Sequence, residues 1–285
     1  MRSTSIALLI FFMLFFPLSS RAWNTFAHQL IANIAYQKLN TVAKEAVDTL
    51  IIDFTHDYPK YSSFISMAYW PDSLHGQKIE AYSRWHYIDV AFSDDGTPVK
   101  NLIDTDNAYW AVGMIEPILQ NASVNPYDRA RFLAFFIHIV ADLHQPLHTV
   151  SRISSLHPDG DRGGNLFFVR YNNKRIPLHQ LWDRGVGAFD IENSDENIAK
   201  TSKRIMAQYP ENYFGDRVND LHSSDWIKDG MDEAYHWVYV IPQESVPDEK
   251  YIGKGQQISE QAAALAGYRL AKLLNQLFEH QLRRH

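Results

Sequence analysis

Residues 127–145 read YDRARFLAFFIHIVADLHQ. Wound as a helix, Phe132, Leu133, Phe135, Phe136, Ile137, Ile139, Val140 and Leu143 cover most of the circumference. A helix apolar nearly all round belongs at the centre of its domain. Two polar residues interrupt it. His138 and Asp142 are four apart and so project from one face, a turn apart. Burying an imidazole and a carboxylate without partners is costly. They are either a mutually hydrogen-bonded core pair or part of a metal site. The continuation, H-x3-D-x-H-x-P-x-H from His138 to His148, favours metal. Pro146 ends the helix and lets His148 turn back to the same place, whereas His144 points away from the ligand face.

Working outward, residues 24–53 show helical spacing, with Asn24 or Thr25 as the cap. Trp70-Pro71-Asp72 reads as a loop or helix end, because proline disfavours helix at the preceding residue. A helix is expected over 104–120. The stretch 166–176, LFFVRYNNKRI, predicts two short strands around an Asn-Asn turn. Further helices are expected near 178–187, 192–208, 223–240 and 256–282. The fold class is all-α: a mostly helical single domain over 23–285 with one small β-hairpin.

Residues 1–22 have the layout of a secretory signal peptide. Arg2 precedes an apolar run from Ile6 to Leu18, and Ser20 and Ala22 are small residues at the −3 and −1 positions of a cleavage before Trp23. The run is short for a membrane span, so no anchor is expected after cleavage. The chain has 285 residues, net charge −6 and no cysteine. The leader carries two arginines and no acid, so the remainder stands at about −8. The lack of cysteine points to a bacterial periplasmic or secreted protein, and it leaves zinc to histidine, carboxylate and the amino terminus. An acidic protein does not attract long nucleic acid electrostatically, but bound cations can reverse the field locally.

Other ligand-type residues follow the same logic. PLHQLWD holds a second HxxxD, His179 and Asp183. The segments YWPDSLH and SRWHYIDV add Asp72 and His86, which taken alone read more readily as an aromatic-rich loop lining the surface than as metal ligands. With His28 these make five imidazoles and three carboxylates, too many for one tetrahedral zinc. The set suits two or three ions with Asp142 bridging a pair.

The ordered motifs W-x4-H at Trp23/His28, W-P-D at 70–72, W-H-Y-I-D at 85–89, H-x3-D-x5-H at 138–148, G-G-N at 163–165 and L-H-x2-L-W-D at 178–183 run through the whole mature chain. In these the sequence resembles the zinc-dependent, single-strand-specific nucleases of the nuclease P-one and nuclease S-one type, also called 3′-nucleotidase/nucleases. The resemblance implies three zinc ions in a helical fold shared with bacterial phospholipases C. One ion takes Asp72, His86, His138 and Asp142. A second takes His148, His179 and Asp183. The third takes His28, Asp142 and Trp23, the last through its α-amino nitrogen and main-chain carbonyl rather than its indole, which requires the leader to be removed.

The implied reaction is attack on phosphorus by zinc-activated hydroxide, with Asp72 orienting the water and taking its proton. It gives 5′-phosphorylated products from single-stranded DNA or RNA, and nucleoside plus phosphate from 3′-nucleotides. No stable protein partner is implied. Tyr87 and Asp89 are expected to stack a base and bond its edge, the alternative being a core tyrosine and a capping aspartate. His75 stands where many relatives carry a cation for the phosphate, and can serve only when protonated. Asn165 either faces the phosphate or makes a turn. Of the other histidines, His56, His157, His222, His280 and His285 read as solvated and His236 as packed. Two rivals remain: a zinc-dependent phospholipase C, and a secreted zinc-binding protein without catalysis. The HxxxD of the last ligand motif and the short Trp-to-His gap speak against the lipase.

Overall fold

A computed structural model describes residues 23–282. The expected leader therefore lies outside the described residues. The helix that centred the sequence reading is α6, Pro126–Asp142, and every residue from Leu133 to Asp142 is buried. Asn125 caps it by accepting from the Tyr127 N–H at 2.9 Å, and Pro126 supplies a preset φ at its first position. Around it pack α1 (Thr25–Lys38), α2 (Thr41–Asp57), α4 (Trp70–Gly76), α5 (Ala108–Gln120) and the 34-residue α10 (Glu249–Leu282). Between α2 and α4 lies the single turn α3, Phe64–Met67.

The helical spacing over 24–53 resolves into two helices. Leu39 turns extended, and Asn40 restarts the chain by capping α2 on the Ala43 N–H at 2.8 Å. Asn24, not Thr25, caps α1. Pairing of α1 with α10 is close enough that a Cβ on Gly267 would lie 2.6 Å from Ile34 Cγ2. Trp23, Leu30, Ile34, Ala263 and Tyr268 fill this seam with α8 (Asp195–Gln208) beside it.

Trp70-Pro71-Asp72 is a correction. These residues begin α4 rather than ending a helix. The first-turn N–H groups have no intrahelical partner, so Pro71 loses nothing there and Asp72 gains a place beside the helix N-terminus.

The expected hairpin is present as β3 (Phe168–Tyr171) and β4 (Lys174–Pro177) in antiparallel register, Tyr171 opposite Lys174. Asn172 and Asn173, at φ 49° and 61°, form its turn. A second pair was not anticipated: β1 (Val90–Phe92) and β2 (Val150–Arg152) run parallel, Val90 opposite Val150. It continues two contacts just ahead of it, Ile88 N–H to His148 O at 2.8 Å and Val90 N–H to Thr149 O at 3.2 Å. The segment after His86 is thereby tied to the segment after His148.

Remaining elements are α7 (Leu178–Asp183) and α9 (Ser223–Glu233), the latter continuing as a π-turn over Ala234–Val238. His236 there is exposed and bonds Asp232, so it is not packed. His157 Nε2 is buried rather than solvated. Among the described residues no helix is long and apolar enough to cross a membrane.

Candidate metal centre

Three groups of ligand atoms converge, each within 4.8 Å: His28 with His138 and Asp142, Asp72 with His86 and His138, and His148 with His179 and Asp183. Every histidine and aspartate assigned to metal from the sequence falls in one of them. The α6 pair sits at their junction. Asp142 Oδ2 lies 3.2 Å from His86 Nδ1 and 3.1 Å from His138 Nε2, while Oδ1 lies 3.3 Å from His28 Nε2 and 3.7 Å from His148 Nδ1. One carboxylate thus faces two groups with different oxygens.

Main-chain carbonyls set the rings. Ala68 O is 2.7 Å from His138 Nδ1, His86 O is 2.8 Å from His148 Nδ1, and Gly163 O is 2.6 Å from His179 Nδ1. Donation from Nδ1 to these carbonyls is the arrangement that turns Nε2 inward as a metal ligand requires. Gln145 does the same for a carboxylate: its Nε2 donates to Asp183 Oδ1 at 2.7 Å while its Oε1 accepts from the Leu147 N–H. The sequence reading missed Gln145, whose only signal is a polar residue beside the proline in a buried run. It also could not see carbonyl partners, which carry no residue type.

The ligand groups perturb one another's charge. His28 and His138 stack at 3.8 Å. Burial, then the neighbouring His138, hold His28 down to about 4, against the pull of Asp142. His138 is raised to about 9, since Asp142 and Asp72 outweigh the cost of burying its charge. Asp142 stays well below the usual carboxylate range because His138, His148 and His28 surround it, although burial opposes them. Burial pushes Asp183 well up. His28 Nδ1 and Nε2, Asp142 Oδ1 and His148 Nε2 are buried without a hydrogen bond. Orphaned buried polar atoms are rare in folded proteins, and these converge on common points. The donor set, all imidazole and carboxylate, fits zinc.

Asp72 is the most open of the three carboxylates, its side chain 10 % exposed against 0 % for Asp142 and 6 % for Asp183. It faces a cleft of about 790 Å³ lined also by His86, Tyr87, Asp89, Arg162 and Asn165. Tyr87 and Asp89 are therefore cleft residues rather than core and cap. Asn165 makes the turn, its Nδ2 donating to Arg162 O at 2.9 Å, and it lines the cleft. His75 lies on α4 one turn after Asp72; its side chain is outside the described residues. The Trp23 indole is core. It is fully buried, meets Phe189 edge-on at 5.5 Å, and donates to the carbonyl of Ala141, the neighbour of Asp142, at 3.0 Å.

The sequence profile of the S1/P1 Nuclease family matches residues 23–279. The chain belongs to that family. Similar proteins include Endonuclease 1 of Arabidopsis thaliana, 24 % identical over 97 % of this chain and 94 % of its own length. Nuclease S1 of Aspergillus oryzae is 23 % identical over 89 % and 91 %, and Nuclease P1 of Penicillium citrinum 21 % over 90 % and 97 %. The mostly helical fold and the hydrolase reading of the sequence both stand. Among its described residues this nuclease carries three His/Asp groups able to hold metal, at one end of its central helix.

Proposed function

We propose that the protein is a trinuclear-zinc phosphodiesterase that cleaves single-stranded DNA and RNA to 5′-phosphorylated products and 3′-nucleotides to nucleoside and phosphate. One observation carries this reading: Asp142 turns one oxygen to His86 and His138 and the other to His28, among buried ligand atoms with no hydrogen bond. Asp72, His86, His138 and Asp142 hold the first ion; His148, His179 and Asp183 the second; His28, Asp142 and the amine and carbonyl of Trp23 the third. Bound zinc supplies the Lewis acidity that ionises water near neutral pH and offsets charge on the phosphoryl and leaving oxygens.

The chain's own residues do the rest. Asp72, open to the cleft, orients the attacking water and takes its proton on a carboxylate oxygen. Tyr87 stacks the base of the nucleoside whose 3′-phosphate is attacked, and Asp89 bonds the base edge. A stacking ring needs a base free of its complement, which selects single strands. Asn165, on the loop whose Gly163 carbonyl holds His179, contributes to phosphate binding from the cleft wall. Residues 1–22 direct export to the periplasm or medium, and their removal frees the Trp23 amine.

Elemental analysis of the purified mature protein, with cleavage of single against double strands, tests the proposal. It expects three zinc per chain and a strong preference for single strands. One zinc or none, or equal rates on duplex, overturns it.

A further inference from the structure

Six non-glycine residues among those described have positive φ. Asn172 and Asn173 make the hairpin turn. Two of the others, Lys78 at 63° and Arg162 at 57°, are cations that line the metal-side cleft. A side chain in the left-handed region costs about 1–2 kcal/mol, and such positions normally pass to Gly, Asn or Asp. Strain kept at a cleft is a reason to ask what the side chain does there.

Arg162 opens a left-handed run with Gly163 (59°) and Gly164 (79°). The run is fixed from several sides. Arg162 N–H donates to Ser151 Oγ at 3.1 Å, and its carbonyl accepts from the Asn165 main chain and side chain. Fully buried Asp161 takes the Arg152 N–H on one oxygen and the Tyr239 hydroxyl on the other. A Cβ on Gly163 would lie 2.3 Å from Leu147 O, so the chain can turn here only with glycine. The loop that holds His179 through Gly163 O therefore also fixes where Arg162 leaves the backbone.

The guanidinium is exposed and, among the described residues, has no ion pair. Its neighbours differ: Arg84 is held by Asp104 and Asp106, Lys100 by Asp159, and Arg152 by Asp94. Arg162 lines the same cleft as Tyr87 and Asp89, the base-recognising wall. An unpaired, geometrically fixed arginine on that side suits an anion other than the phosphate at the metal centre.

We propose that Arg162 is a positioning residue that binds the phosphate on the 5′ side of the nucleoside held by Tyr87 and Asp89, one phosphate upstream of the bond that is cut. This rests on the nuclease reading above. It makes a nucleoside 3′,5′-bisphosphate the smallest substrate that uses both the metal centre and Arg162, and a 5′-phosphorylated dinucleotide the smallest strand that does.

The test measures affinity of the zinc-loaded protein for dinucleotides joined by a slowly cleaved phosphorothioate, with and without a 5′-phosphate. Wild type should favour the phosphorylated form about tenfold, which is about 1.4 kcal/mol. Arg162→Gln should bind the two forms equally, and Arg162→Lys should keep most of the preference. Arg162→Gly removes the charge while suiting the left-handed backbone. It should lose the preference with an unchanged or higher Tm and unchanged zinc content, and it carries the test if the glutamine variant does not fold. No preference in wild type, a preference that survives Arg162→Gln or Arg162→Gly, or an equal loss for both ligands overturns the proposal. Failure of the nuclease reading shows separately, as no cleavage of the ordinary phosphodiester, while the preference is still read from binding.

Discussion

His138 and Asp142 stand a turn apart on a helix whose last residues are all buried, and Asp142 reaches two ligand groups without leaving it. Tyr87, Asp89, Arg162 and Asn165, in the cleft beside them, are presented by loops held by the short β1–β2 pairing, a run of left-handed residues and the hydrogen bonds of Ser151 and Asp161. The ligand cluster is thus preorganised by core packing, and the cleft wall by hydrogen bonds within its loops. A lost ligand from the buried part of the cluster should cost metal and function together. A lost wall residue should change which substrate is bound and how tightly, with the metal in place.

The sharpest way to break this contrast is Asp142→Asn. The amide keeps the shape but removes the charge that three buried imidazoles surround. It should lose zinc from both groups that share Asp142 and reduce cleavage to background. Full zinc content with near wild-type rate would show that the bridge is not the organising element. Asp72→Asn should separate binding from chemistry. Asp72 is the most open of the three carboxylates, and removal of a general base costs about 10²–10⁴ in rate. The expected result is that loss in kcat with zinc retained. Wild-type kcat at full zinc content would exclude Asp72 as the base.

Trp23 belongs to both halves of the comparison. Its indole packs on Phe189 and bonds Ala141 O, which fixes residue 23 beside Asp142 whatever its amine does. A mature form with one extra residue before Trp23 should keep its fold and tryptophan fluorescence. It should lose about one zinc per chain and at least about tenfold in rate, since even outer-shell changes at metal sites cost 10–100-fold. Unchanged zinc and rate would leave Trp23 to the core alone.

The same division explains how much the sequence disclosed. His138, Asp142, His179 and Asp183 were legible because helical spacing fixes direction, and Pro146 showed where His148 turns. The turn at Asn172-Asn173 was legible from local chemistry. Pro71 misled because a proline that ends one helix can equally begin another, and only tertiary packing chooses. β1 and β2 left no trace, since three-residue strands far apart in sequence have too little pattern to pair on paper. The carbonyls of Ala68, His86 and Gly163 that orient three imidazoles are main-chain atoms. Arg162 looked like any surface arginine until its φ was seen.

Asp89 offers the mildest and most selective change. Burial, then Asp161 and Asp104, push its carboxyl up to about 7, and Arg162 pulls it back. A folded value above the ordinary one means that the folded protein holds a proton which the unfolded chain has released. Between roughly pH 4 and 7 the folded state binds more protons, so Asp89's contribution to stability falls as pH rises and levels off above 7. Asp89→Asn should therefore flatten the fall in Tm across that window. The same proton decides recognition: below 7 the carboxyl can donate to a base edge, and above 7 it only accepts. The KM for a given base should shift between pH 6 and 8 in wild type and be level in Asp89→Asn, with zinc content equal in both. If KM in the asparagine variant shifts with pH as in wild type, the titrating group belongs to the metal cluster, and the wall is electrostatically silent.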